Sequence, residues 1–291
     1  MLRLTSFAAA ALCVASMASA QTVPVAVAAD PVPDKAHPAR LEQVRYPTGG
    51  VAVPARLFVA AGAGKHGTVL LLHGFPGTEL NLDLARAAQR AGWNVLAIHY
   101  RGVWGAPGKF SFTHTIEDAR AALAWLRAPA NGEKYGIDAS KIVVAGHSMG
   151  GFDTVMLGDD AAVAGFVMIS AADLAAYAPW LDTPAKRVEA EPGWSDDISF
   201  TNMSFAEMAD ELVANAKAWD WRTRAAKMAG RPVLVIDSDD GLAPANDGAA
   251  AAIAAAGGPA PVRVKFATDH SYNDHRIALA STIVTWLEEK F

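Results

Sequence analysis

Over most of its length the chain alternates short apolar runs of strand length with stretches in which apolar residues recur every three or four positions. Residues 68–72, 93–98, 141–145, 163–169 and 233–236 are the apolar runs, and 262–266 alternates Val262, Val264 and Phe266 with Arg263 and Lys265. Each is too short for a buried helix and reads as a strand, the mainly apolar ones buried on both faces. The helical stretches lie between them. Leu80, Leu84, Ala88 and Ala91 share one face that stops at Gly92, and Ile116, Ala119, Leu123 and Leu126 form a stripe that follows Thr115 and ends before Pro129. Ile277, Ala280, Val284, Leu287 and Phe291 form the last stripe. Residues 41–46 and 51–59, joined at Gly49-Gly50, read as an antiparallel pair toward the sheet edge, where Pro54 is tolerated. Strand–helix alternation of this kind predicts an α/β fold with a mostly parallel central sheet and helices on both faces.

Between Ser170 and Gly230 the alternation lapses. A structureless loop of about sixty residues is improbable inside a compact domain. The stretch carries Tyr177, Trp180, Trp194, Phe200, Trp219 and Trp221, and a capping box, Ser204 with Glu207, before Phe205, Met208, Leu212 and Ala216. Residues 171–229 are therefore expected to form a cap inserted after the sixth main strand.

The N-terminus has a different character. Arg3, an Ala-rich apolar core over residues 7–17 and Ala18-Ser19-Ala20 make a tripartite signal peptide, 1–20, with cleavage after Ala20 and a periplasmic or secreted destination. The run is too short for a membrane span. Cys13, the only cysteine, falls inside it, so the processed chain has no disulfide to form. Residues 21–40, with Pro24, Pro31, Pro33 and Pro38, read as an extended leader, and 41–291 as one domain. A formal net charge of −5 without basic clusters argues against nucleic acid and anionic membranes as partners.

Candidate chemistry sits at the ends of the predicted strands. Run 141–145 leads into Gly146-His147-Ser148-Met149-Gly150-Gly151, a serine between glycines at a strand-to-helix turn. G-x-S-x-G alone turns up by chance in about one chain in ten of this length, so its companions carry the argument. Run 68–72 ends in His73-Gly74-Phe75-Pro76-Gly77, a small-residue loop able to aim backbone N–H groups at an anion. Run 233–236 ends in Asp237-Ser238-Asp239-Asp240-Gly241, and run 262–266 leads into Asp269-His270-Ser271. Open α/β sheets build their sites at strand carboxyl ends, and the order Ser, Asp, His is that of α/β-hydrolases. Counted as a calcium loop, the acidic cluster puts Gly241 at position five and Gly248 at position twelve, so no metal or cofactor is expected.

On these motifs, with the Tyr100-Arg101-Gly102 loop, the chain resembles the α/β-hydrolase superfamily over about residues 40–291, and most of all small bacterial esterase-like and dienelactone-hydrolase-like members. The resemblance implies an α/β-hydrolase fold and acyl transfer to a serine from a small-molecule ester. Ser148 is the expected nucleophile and His270 the base, with His275 its rival, better explained at the start of the last helix. Asp240, four before Pro244, matches the family's acid; Asp239 is the alternative because the loop is one residue short. The expected oxyanion donors are the backbone N–H groups of Phe75 and Met149. Tyr100, Trp104 and Trp180 are candidate pocket residues. His73 is expected to hold the oxyanion loop, His147 to fill the elbow, Glu79 to bind a substrate amine or merely to answer the helix dipole, and Asp153 to be structural. A peptidase or amidase with the same triad is the close alternative, and a non-catalytic binding module on the same fold the distant one.

Overall fold

The computed structural model describes residues 23–291; the expected signal peptide lies outside them. Eight strands form one sheet: β1 (Arg40–Thr48), β2 (Val51–Val59), β3 (His66–Leu72), β4 (Asn94–Ile98), β5 (Ile137–His147), β6 (Gly165–Ile169), β7 (Val233–Asp237) and β8 (Val262–Lys265). Their spatial order is β1-β2-β4-β3-β5-β6-β7-β8. The pairs β1–β2 and β2–β4 are antiparallel and the rest parallel. Pro54 lies opposite Arg45 on the edge strand and just outside the β2–β4 ladder, which begins at Ala55.

Because side chains alternate across a strand, β3 feeds two cores. Leu70 and Leu72 join one with Val144 and the helix Phe112–Arg127, while Val69 and Leu71 join the other with Val143 and the helices Leu82–Arg90 and Arg276–Lys290. This two-sided burial is why the central runs read as continuously apolar. The winding reverses at β3, which has β4 on one side and β5 on the other. Its carboxyl end and that of β5 therefore flank the crevice where such sheets bind ligands.

Four local expectations change. The helix expected near Thr115 begins earlier, at Phe112, because Ser111 is its N-cap and accepts from His114 N–H at 3.0 Å. In the last helix Ile277 is exposed, and Leu279, Ile283 and Trp286 take the buried face with Ala280, Val284 and Leu287. The leader is not extended throughout: Val25–Ala28 forms one helical turn whose Ala26 and Val27 pack on the second core, and the Arg90 guanidinium donates to the Ala26 carbonyl at 2.5 Å. His275 stands at the N-cap position of the last helix but makes no side-chain capping bond, because its ring pairs with Asp274 at 2.8 Å.

Between β6 and β7 the chain forms helices Pro184–Ala190, Ser195–Ile198, Phe205–Asn215 and Trp221–Ala226 with short 3₁₀ turns. The Ser204–Glu207 capping box is present, and Phe205, Met208 and Leu212 are buried. The insertion is moored to the loop after β4. Asn202 accepts from Phe110 N–H at 2.9 Å and donates to the Gly108 carbonyl at 2.8 Å, the Glu211 carboxylate accepts from Phe112 and Thr113 N–H, and Trp104 stacks on Phe200 with centroids 4.3 Å apart. Among the described residues no helix is long and apolar enough to cross a membrane.

Candidate active site

Ser148 joins β5 to the helix Met149–Met156 with φ 56° and ψ −117°, a conformation costly for a residue with a side chain. The turn holds because β5 and the helix approach without intervening side chains. A Cβ on Gly146 would strike the Gly150 carbonyl, and one on Gly150 would strike the Leu72 carbonyl of β3. Ser148 N–H donates to the Ile169 carbonyl and Ala172 N–H to the Ser148 carbonyl, both at 3.0 Å, which fixes the elbow to the end of β6. The loop after β3 runs directly alongside: a Cβ on Gly74 would sit 2.9 Å from the Ser148 Cβ. Phe75 follows Gly74, and Met149 opens the helix, where the first N–H groups have no intrahelical acceptor.

His270 and Asp240 meet. The Asp240 carboxylate accepts from His270 Nδ1–H at 2.7 Å, which leaves Nε2 as the ring's free nitrogen. Burial pushes the Asp240 carboxyl upward, but the bonds from His270 and from Leu242 N–H, with the Ser170 and Ser238 hydroxyls, outweigh it and hold the group well below the ordinary carboxylate range. Asp239 turns away, to exposed Lys265 at 2.8 Å. Asp237 is buried against Asn246 and Arg263.

His147 links this pair to the elbow. Burial, reinforced by the neighbouring His270, drives its pKa down to about 3, so the ring is neutral. Its Nε2 faces the His270 carbonyl at 2.8 Å and must carry the proton, since a carbonyl only accepts. The two rings lie 4.6 Å apart. The residue before Ser148 thus grips the backbone of the histidine loop. His73 is likewise driven by burial to about 4; its Nδ1–H donates to the Gly74 carbonyl at 2.7 Å and stiffens the loop after β3.

Other nominated residues lie elsewhere. Tyr100 is fully buried, T-packed on His73 at 4.7 Å, so it is core and not a pocket wall. Trp104 is half-exposed and its indole N–H donates to the Pro76 carbonyl at 3.0 Å, beside Phe75. Trp180 is 70% exposed and encloses nothing. The Glu79 carboxylate is taken by Asn81 N–H at 2.5 Å. Asp153 is fully buried, accepts from the Thr115 hydroxyl at 2.7 Å, and is pushed far toward its neutral form by burial.

Sequence reasoning missed Ser170, Ser238 and Tyr272, three buried hydroxyls beside Asp240. The strand-end logic that nominated Ser148 covers Ser170 and Ser238 as well, each the first residue after its strand. Half-buried Phe75, Trp194 and Tyr177 also gather at this rim, Phe75 to Trp194 at 6.2 Å and Trp194 to Tyr177 at 5.3 Å.

A sequence profile described as the alpha/beta hydrolase family matches residues 69–282, from β3 into the last helix. The chain belongs to that family. An uncharacterized protein of Mycobacterium tuberculosis is 30% identical over 168 residues, covering 55% of this chain and 57% of its own length. The chain therefore matches only about half the length of that curated relative. Among solved structures, a thermostable carboxylesterase from a metagenomic library superposes with a TM-score of 0.60 at 20% identity, over 86% of this chain and 90% of its own. The esterase of Pyrobaculum calidifontis gives 0.61 at 22%, over 91% and 86%. Brefeldin A esterase, described as a bacterial homologue of human hormone-sensitive lipase, gives 0.60 at 18%, over 97% and 89%. At these identities the likeness is one of fold.

Proposed function

We propose that the protein is a serine hydrolase that cleaves small-molecule carboxylic esters through an acyl-enzyme on Ser148. The observation that carries this reading is the Asp240–His270 bond, 2.7 Å long, on a loop held through His147 to the serine elbow. With Nδ1–H committed to Asp240, His270 Nε2 takes the Ser148 proton as the hydroxyl attacks the acyl carbon, then returns it to the departing alcohol. Asp240 keeps the ring in that tautomer and balances the imidazolium charge. Asp239 has no such part, because its carboxylate is spent on Lys265. Charge gathering on the carbonyl oxygen is met by the N–H groups of Phe75 and Met149, the first following Gly74, which runs alongside Ser148, and the second at a helix start. Water then enters by the same route and frees the acid. The half-buried rings of Phe75, Trp194 and Tyr177 favour an apolar acyl group, and residues 171–229 act as the cap above it.

Esters are favoured over peptides because the solved structures that share the fold include esterases. The N-terminal signal pattern assigns the enzyme to the periplasm or the medium. A fluorophosphonate probe is expected to label the wild type and not Ser148→Ala. A short-chain p-nitrophenyl ester is expected to turn over faster than an aminoacyl anilide. Labelling that survives Ser148→Ala would dismiss the nucleophile, and preference for the anilide would make the enzyme an amidase.

A further inference from the structure

The turn that carries His270 is gripped from two sides. Tyr272 N–H closes it on the Asp269 carbonyl at 3.0 Å, which leaves His270 and Ser271 at its tip. The two tip carbonyls go to different elements. That of His270 accepts from His147 Nε2–H at 2.8 Å, on the serine elbow, and that of Ser271 accepts from Arg276 Nη1 at 2.9 Å, on the first residue of the last helix.

Arg276 also reaches the loop after β3. Its Nε donates to one oxygen of the Asp83 carboxylate at 2.8 Å and its Nη2 to the other, and Nη2 donates again to Asn81 Oδ1 at 3.1 Å. Two parallel bonds to one carboxylate fix the plane of the guanidinium as well as its place. Asn81 and Asp83 stand at the start of the helix Leu82–Arg90, where the loop that begins at His73 ends. One planar group thus joins the histidine loop to the oxyanion loop.

A helix start is a poor place for a cation, because its first N–H groups already carry positive charge. The helix dipole gives no reason for Arg276 there, and the bridge does. Its side chain is only 22% exposed, although Asp83 is half-exposed, so the fork is better shielded than an ordinary surface ion pair. Asn81, at the far end, is 1% exposed and holds the left-handed conformation at φ 54°, which asparagine tolerates better than most residues.

We propose that Arg276 is a positioning residue for the hydrolysis: its guanidinium locks the histidine loop to the start of the helix Leu82–Arg90 and so keeps the His270 ring in register with Ser148. The inference rests on the triad read above. Its test is kinetic, with kcat counted per folded molecule from circular-dichroism melts. Arg276→Met keeps most of the stem and removes every donor. It is expected to lower kcat for p-nitrophenyl acetate about ten- to hundredfold with KM within twofold of wild type, as a displacement of about 1 Å in a reacting group does. In a His270→Ala background the same substitution should cost nothing further, since Arg276 acts only through that ring.

An equal loss in both backgrounds would mean a general packing role and would overturn the proposal. So would a kcat within twofold of wild type in folded Arg276→Met. Should that variant not fold, Asp83→Ala, which leaves the guanidinium in place and removes its far anchor, carries the same cycle with an expected loss of about fivefold or more. A wild type that neither hydrolyses the ester nor takes the fluorophosphonate probe would remove the triad and this role with it, whereas an active wild type with indifferent variants would remove only the role of Arg276.

Discussion

The loop after β4 and the loops after β5, β7 and β8 occupy equivalent places, each just beyond the carboxyl end of a strand, yet they are built in opposite ways. After β4 the charged groups of Arg101 and its partners are spent on the fold. Arg101 donates to Asp118 through its backbone N–H at 2.9 Å and its Nε at 2.6 Å, reaches Glu117 at 2.7 Å, and Thr48 adds a 2.7 Å bond to the same aspartate. Arg101 and Asp118 are almost wholly buried, and the residues that follow moor the insertion. At the other loops two groups keep a side unspent: His270 has Nδ1 committed and Nε2 free, and Ser148 is partly exposed on a strained backbone. Placement at a strand end nominates a residue, and the use of its hydrogen-bonding capacity separates scaffold from chemistry.

That contrast can be broken most forcefully at the acid loop. Asp240→Asn should lower kcat about 10³- to 10⁴-fold, the size of effect known for a triad whose histidine loses its orienting carboxylate. Asp239→Asn, whose partner is exposed, should leave kcat within about twofold. Similar losses in steady-state assays of the two variants would mean that the 2.7 Å bond does not distinguish them.

The loop after β4 should respond in stability instead. Asp118→Ala removes the buried carboxylate that Arg101 and Thr48 share, leaving the guanidinium with Glu117 and the His114 carbonyl, and should cost about 3–5 kcal/mol in denaturant melts, while the fraction that stays folded keeps a kcat within a few-fold of wild type. A large kcat loss in well-folded protein would give this loop a part in the chemistry.

The smallest expected effect concerns pH. The His73 and His147 rings are held neutral by burial, at about 4 and about 3 against 6.5 for a free ring. The unfolded chain therefore binds protons first as pH falls through 6.5. Stability is full above that value and declines until the folded rings titrate, by about 2–3 kcal/mol per ring between pH 6.5 and 4.5. Asp240, also lowered in the fold, acts in the same direction at lower pH: its contribution is present above about pH 3.8, the ordinary value, and is lost as pH falls below it. His73→Asn should flatten the slope of stability between pH 6.5 and 4.5 measured by urea melts, and an unchanged slope would mean that the ring is not held neutral.

Much of the site was legible from spacing. A serine among glycines after an apolar run can be read because the elbow tolerates few residue types, and the 146, 150 and 151 glycines each stand where a Cβ would meet backbone or a neighbouring Cβ. The capping box at Ser204 was legible for the same reason: its bonds are local, three residues apart. Tyr100 was misread because proximity to a strand end says nothing about burial. The start of the helix at Phe112 was misread because Thr115, which precedes the apolar stripe, lies inside the helix and spends its hydroxyl on the Phe112 carbonyl and on Asp153, far away in sequence.

The amino-acid order alone thus determined the sheet-and-helix alternation, the elbow and the order of serine, acid and histidine, because each is a matter of local periodicity or of a turn that admits few residues. Only the folded structure set Asp240 rather than Asp239 against His270, turned Tyr100 and Arg101 into scaffold, and gathered Ser170, Ser238 and Tyr272 from three separate loops. Those outcomes depend on which polar groups meet across the sheet. Contacts between residues thirty to a hundred positions apart are fixed by register and winding, which no short stretch of sequence encodes.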